Sequence, residues 1–254
     1  MDNLSLLTAM QASVDATAGS LSTVVDALLE VDHLLICVSG EAALSVLQTV
    51  GLRCPNYTAR RVEQGTASRL ILFENAYLEL ICIEDERVAA QTSRRTGIDM
   101  LGRSRWQHTR FSPFGVGLRC KLDAANLTAH SKHSRAEQIQ LDSSIHFASD
   151  NRVNKAEPLC FVIPNYIALP QWLDPTSDVH QYLLTHSLGV KRLTDVKITV
   201  DSARDLTPTV SMLSHSNLIG IEQGMAPLLE LVFDEEGQGQ RLDLRPSLPA
   251  LLRY

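Results

Sequence analysis

The chain is poor in aromatic residues, which make up 5% of its 254 positions. No apolar run approaches the roughly 18 consecutive residues of a membrane span, so no membrane partner is expected. Net positive charge is absent as well: 23 Lys and Arg face 29 Asp and Glu, for a formal net charge of -6. A polyanion needs a basic surface to bind, so nucleic acid is not an expected partner. The basic pairs Arg60–Arg61 and Arg94–Arg95 are short and read as solvated surface. Met1–Asp2–Asn3 carries no basic n-region, so a secretory leader is not expected and a cytoplasmic location is.

Motifs of covalent and nucleotide chemistry are missing too. The five cysteines, Cys37, Cys54, Cys82, Cys120 and Cys160, are odd in number and form no Cys-x-x-Cys pair. They read as buried thiols in a reducing compartment rather than as a disulfide frame or a zinc knuckle. No Gly-x-Ser-x-Gly elbow occurs, and no P-loop or Gly-x-Gly-x-x-Gly, so no nucleotide cofactor is expected.

What remains is an ordinary globular composition, 44% hydrophobic and 20% charged, in a chain long enough to bury a substantial core. Leu21, Val24, Val25, Leu28 and Leu29 fall at helical spacing, so residues 1–29 are expected to form a helical N-terminal extension. Residues 31–38 read as a strand. Residues 40–50 read as a short helix closed by Gly51. Two strands are expected near 68–73 and 76–83, joined by a tight Glu74–Asn75–Ala76 connection. Residues 84–112 are charged and read as an irregular linker or lid. Further strands are expected at 115–120, 144–148, 159–163, 193–200, 218–223 and 227–233. A long loop is expected over 164–188, and a helix near 207–215 with Pro208 in its first turn.

An internal echo accompanies this order. Asp32–His33–Leu34–Leu35–Ile36 aligns with Asp195–Val196–Lys197–Ile198–Thr199, and Leu78–Glu79–Leu80–Ile81 aligns with Leu229–Glu230–Leu231–Val232. A recurring order of elements points to repeated supersecondary modules. Two chemistry-bearing side chains sit inside these apolar runs. A titratable group within a strand core is costly unless it is paired, hydrogen-bonded or metal-bound, which singles out His33 and Glu79. Strand side chains alternate, so Glu79 points away from Leu78 and Leu80, toward solvent or a cavity, with Tyr77 on its side. Arg69 sits near the start of the same strand pair. It suits either bidentate recognition of an anionic substrate or a bracing salt bridge. His180 and His186 flank the long loop near Trp172 and are weaker candidates.

The runs DHLLICV (32–38) and GTASRLILFENAYLELICIED (65–85) resemble the vicinal oxygen chelate superfamily and, more narrowly, its glyoxalase-like domain group. The resemblance is densest over residues 30–85 and continues more weakly through 114–120, 186–200 and 227–252. It implies an α+β fold in which repeated βαβββ modules form curled mixed sheets around a cavity. The chain then divides into the 1–29 extension, a first module with linker over 30–112, a second module with loop over 113–188, and a third, partial module with tail over 189–254. The resemblance also implies a divalent metal ion (Zn, Fe, Mn or Ni) held by a His on the first strand and a Glu on the last. His33 and Glu79 match those positions, and Glu230 repeats the Glu79 position, although Val196 stands where the third stretch would need its His. Imidazole and carboxylate suit such metals, and a spare carboxylate can move a proton, so Glu79 is the expected catalytic group. Arg69 and Tyr77 are the expected substrate contacts. The implied function is a small-molecule metalloenzyme, a lyase, isomerase or dioxygenase acting on an oxygen-bearing substrate. The alternative is a non-catalytic binding or sequestering protein on the same scaffold. A homodimer is the expected assembly.

Overall fold

The computed structural model describes residues 28–40, 42–55, 57–121, 144–201 and 205–254. The expected N-terminal helix lies outside the described residues save for Leu28 and Leu29, and so does the polar stretch 122–142. The apolar run of the first strand forms β1 (Leu29–Val38), whose alternation divides the molecule. Leu34, Ile36 and Val38 enter the main core, while Leu35 and Cys37 enter a second, smaller cluster on the other side of the sheet. Helix α1 (Ala42–Thr49) follows, and Gly51 behind it adopts φ +92°, the left-handed conformation that favours glycine after a helix. Strands β2 (Ala59–Arg61), β3 (Thr66–Leu72) and β4 (Tyr77–Ile83) complete the first βαβββ unit.

The first sheet has seven strands. It adds β5 (Phe114–Cys120), β6 (His146–Phe147) and β7 (Leu159–Val162) in the order β2-β3-β4-β1-β5-β7-β6. β1 is its hinge line, parallel to β4 on one side and antiparallel to β5 on the other. This sheet curls strongly into a half-barrel, and the fold is mixed α+β with two mixed sheets. The second sheet is built from β8 (Leu193–Asp201), β9 (Gly220–Gly224), β10 (Leu228–Phe233), β11 (Arg241–Asp243) and β12 (Ala250–Arg253), in the order β11-β12-β10-β8-β9. Its strands pair differently from the first unit. β10 runs antiparallel to β8, where β4 runs parallel to β1. The aligned stretches of sequence therefore do not occupy equivalent places. The main core fills the space between the sheets, where Leu34, Ile36, Leu78 and Leu80 meet Val196, Ile198, Leu229, Leu231 and Leu252.

Residues 84–112 correct the expectation of an irregular linker. They form three helices: α2 (Glu86–Thr96), α3 (Met100–Ser104) and α4 (Trp106–Thr109). Helix α2 is polar overall and buries little apolar surface, with Ala89 its one buried residue. Its ends hold it instead. The Asp85 carboxylate accepts from Val88 N at 3.0 Å, and Gly97 closes it in the left-handed conformation at φ 79°. Asp99 caps α3 in the same way, accepting from Gly102 N at 2.8 Å. Helix α3 delivers a fully buried Arg103, whose Nη1 donates to the carbonyls of Ser112 and Glu157 at 2.7 and 2.9 Å. Met100 packs on the smaller cluster beside Leu35, Cys37 and Ile81, so α3 covers part of that face.

The expected loop over 164–188 is likewise partly helical, with α5 (Leu169–Trp172) and α6 (Asp178–Leu184). The last helix, α7 (Pro208–His215), starts with its proline in the first turn, as the sequence predicts. None of the helices among the described residues is long and apolar enough to cross a membrane.

The two sheets are tied at the β3–β4 turn. Asn75 pairs with the backbone of Leu193 as if it were a strand neighbour: Nδ2 donates to Leu193 O at 2.8 Å, and Oδ1 accepts from Leu193 N at 2.9 Å. Removing both partners at once strands a backbone donor and acceptor at the sheet junction, which costs about 1–3 kcal/mol. Asn75→Ala is therefore expected to lower the urea midpoint while leaving the slope of the transition unchanged. An unaltered midpoint would show that the junction does not depend on this pair.

Candidate functional site

Adjacent strand residues normally point to opposite faces, so Asp32 and His33 should not meet. They do meet, because β1 carries a bulge. The register against β5 shifts between Val31 and His33, so that Asp32 is the extra residue. Asp32 Oδ2 then lies 2.9 Å from His33 Nδ1. The imidazole stacks on Tyr77 (ring centroids 4.4 Å apart, planes at 14°) and meets Phe161 at 5.3 Å. Its other nitrogen, Nε2, lies 3.8 Å from Glu79 Oε2. His33 and Glu79 are each 4% exposed. The first and last strands of the first unit thus bring the two leading candidates together, on the face opposite the main core.

Room for the ring comes from Gly117. This residue is the β5 partner of His33, and a Cβ there would lie 2.5 Å from His33 Cε1. No signal in the sequence marks Gly117 as different from its neighbour Gly115; only the register does.

Two arginines hold the carboxylates. Arg61, on the edge strand β2, donates from Nη2 to Glu79 Oε1 at 2.8 Å and from Nη1 to Ser68 Oγ at 3.0 Å. Arg119, at the end of β5, donates from Nη1 to Asp32 Oδ1 at 2.8 Å and from Nε to Glu30 Oε1 at 2.7 Å. Asp32 Oδ1 also accepts from the backbone N–H of Leu169 at 2.8 Å. Burial alone would raise the Asp32 carboxyl, but the hydrogen bonds from His33 and Arg119 outweigh it and hold the group below the usual carboxylate range. Burial pushes the Tyr77 hydroxyl far above its ordinary range, so it stays protonated. Burial also pushes the Cys37 and Cys160 thiols up to about 12, which leaves them un-ionised and unsuited to nucleophilic work.

An aromatic row extends outward from His33. Tyr77 meets the edge of Trp172 at 5.8 Å, and Trp172 meets His180 at 6.5 Å. Arg119 and Leu169, the two donors to Asp32 Oδ1, also line a cavity of about 730 Å³ shared with Glu74, Leu173, His186 and Lys191.

The remaining sequence candidates lie elsewhere. Arg69 pairs with Leu80 across β3 and β4, which puts its side chain on the face opposite Glu79, beside the Cys54 thiol. Arg61, not Arg69, is the arginine beside Glu79. Glu230 is on β10 of the second sheet, across from Lys197, and is not brought to His33 or Glu79. His186 is a brace between two backbone segments. Its Nδ1 accepts from Arg53 N at 3.0 Å and its Nε2 donates to Leu72 O at 2.8 Å, while burial pushes its pKa down. The residues that sequence reasoning missed are Asp32, Arg61, Gly117 and Arg119.

A methyl group on Gly117 would occupy the space of the His33 ring. Gly117→Ala is expected to cost about 1–3 kcal/mol of stability and to shift the His33 ring resonances while the fold is retained. Unmoved His33 resonances would show that the imidazole is not held against this glycine.

Comparison with known proteins places these features in a family. A family model described as a glyoxalase-like domain matches residues 31–213. No curated protein matches. A solved structure of a hypothetical protein from Staphylococcus aureus is 13% identical, with a TM-score of 0.49, over 88% of this chain and 98% of that one. A methylmalonyl-CoA epimerase from Mycobacterium tuberculosis is 16% identical, with a TM-score of 0.29, over 53% of this chain and 86% of that one. A variant of 4-hydroxymandelate synthase from Streptomyces coelicolor is 10% identical, with a TM-score of 0.35, over 88% of this chain and 61% of that one. The family match runs from the bulged first strand into α7, across both strands that carry the His33–Glu79 pair, and the chain belongs to the glyoxalase-like domain family.

Proposed function

We propose that this chain is a small-molecule enzyme acting on an oxygen-bearing substrate, with His33 and Glu79 as its reacting centre. The observation that carries this reading is the convergence of His33 Nε2 and Glu79 Oε2 at 3.8 Å, each held by a separate partner, Asp32 at the histidine and Arg61 at the glutamate. Two donors that share one divalent ion at about 2.0–2.2 Å each stand roughly 3–4 Å apart, so the pair fits an N,O-coordinated metal. Asp32 behind the histidine fits the same reading, since a ligating imidazole commonly gives its second N–H to a carboxylate. Among the described residues no group of three or more His, Cys, Asp or Glu could hold an ion, and His33 and Glu79 are the two ligands this reading names. When bound, such an ion supplies polarisation of a substrate carbonyl or enediolate oxygen.

The chain's own groups do the rest. Glu79 has one oxygen fixed by Arg61, which leaves Oε2 to serve either as a ligand or, where it is not bound to an ion, as the base that takes a proton from a carbon next to that carbonyl and returns it. Arg61 is positioned to contact an anionic group of the substrate, because its side chain is 37% exposed while it grips Glu79. Tyr77 keeps its proton and can donate to a substrate oxygen. Trp172 and His180 continue the wall outward.

The test is metal content after reloading the metal-free protein with Zn, Mn, Fe or Ni, for the parent and for His33→Ala and Glu79→Gln. Near-stoichiometric metal in the parent, lost in both variants, is the expected result. A parent that retains none, or variants that retain as much as the parent, would overturn the metal-centred reading.

A further inference from the structure

The bulge at Asp32 has its own chemistry. An ionised carboxylate accepts hydrogen bonds and donates none. Asp32 receives three: Arg119 Nη1 and Leu169 N at one oxygen, and His33 Nδ1 at the other. None of the three donors is a solvent contact, because Asp32 is fully buried and Arg119 and Leu169 are 6% and 1% exposed. Arg119 is not free to follow a change at Asp32, since Nε is committed to Glu30 and Nη2 to the carbonyl of Asn75 at 3.1 Å. Leu169 N is the backbone N–H at the start of α5 and has no partner within that helix.

We infer that Asp32 is a positioning residue: from the bulge it fixes the proton of His33 on Nδ1 and thereby keeps the Nε2 lone pair turned toward Glu79. Its catalytic meaning rests on the reading of His33 and Glu79 as the reacting centre; its structural meaning does not. With the proton on Nδ1, Nε2 is an electron-pair donor, able to hold a metal ion or accept a proton. With the proton on Nε2, the ring would instead donate toward Glu79 Oε2, and the centre would be closed by its own hydrogen bond.

An isosteric change separates these states. In Asp32→Asn the side-chain oxygen can serve only one of the two positions. If it stays with Arg119 and Leu169, the new NH2 faces His33 Nδ1, and the ring must move its proton to Nε2. If the amide turns over, the NH2 faces two donors at once, one of them a guanidinium. One mismatch that a tautomer shift relieves wins over two that nothing relieves. An Asn in place of an Asp behind a histidine traps the wrong tautomer in this manner.

The experiment is long-range 1H–15N correlation on the full chain with labelled histidine, metal-free at pH 8. His33 is assigned by the signal that His33→Gln removes. The parent is expected to show Nδ1 protonated and Nε2 unprotonated, and Asp32→Asn the reverse. A parent protonated at Nε2, or the same pattern in parent and variant, overturns the inference. Should Asp32→Asn fail to fold, the parent decides: coupling between the His33 Nδ1 proton and the Asp32 carboxylate carbon upholds the inference, and its absence overturns it. Zinc titration of the same two proteins keeps the two readings apart. Weakening by 10–100-fold in the variant is the expected size for a carboxylate behind a ligand. A tautomer that reverses in a protein that binds no metal upholds Asp32 and overturns the metal-centred reading. Metal binding with an unreversed tautomer does the opposite.

Discussion

A buried carboxylate is the constraint on which the rest of this molecule depends. Asp32 is out of reach of water, and an isolated ion there would be strongly disfavoured. It is tolerated because three parts of the chain aim donors at it: β5 through Arg119, the segment after β7 through the Leu169 backbone, and β1 itself through His33. Those three contacts fix three things at once. They tie the end of β5 to β1 at the bulge, anchor the start of α5 to β1, and orient the imidazole that faces Glu79. A mutation at Arg119 or His33 leaves the carboxylate short of a partner, so the fold and the site share one point of failure.

The site follows from how the sheet divides its faces. One face of β1 and β4 is spent on the main core, where Leu34, Ile36, Leu78 and Leu80 pack against the second sheet. The other face carries His33, Tyr77 and Glu79, with Leu35, Cys37 and Ile81 farther along, packed with Ile98 and with Met100 of α3. Polar chemistry therefore sits at one end of that face and apolar filling at the other. Gly117 opposite His33 leaves the ring its space, and Tyr77 presses on its plane. Arg61 lies at the sheet edge, where a charged side chain can reach both Glu79 and solvent.

Much of this arrangement is legible in the amino-acid order, and the missing pieces share a cause. His33 and Glu79 stand out because each is a polar residue within an apolar run, and alternation alone assigns Glu79 to the face away from Leu78. Asp32 does not stand out, since regular alternation sends it to the wrong side; only the bulge turns it to His33. Arg61 and Arg119 look like ordinary surface charges until pairing across β2–β3 and β1–β5 shows what they touch. Arg69 illustrates the converse: one residue of register puts it behind the sheet, beside Cys54. Helix α2 is too polar to announce itself by burial, and capping by Asp85 and Gly97 holds it, as Asp99 and the burial of Arg103 hold α3. The Glu230 echo misleads because a four-residue likeness does not record strand direction, and β10 runs antiparallel to β8.

Asp32 binds the segment after β7 to the sheet that carries the site. Native-state hydrogen exchange at the Leu169 amide reads that bond. An N–H in the first turn of a four-residue helix has no partner within that helix and exchanges quickly unless something outside holds it. Exchange of Leu169 as slow as that of the central strand β1 is expected. Exchange as fast as that of exposed loop amides would contradict the tie through Asp32.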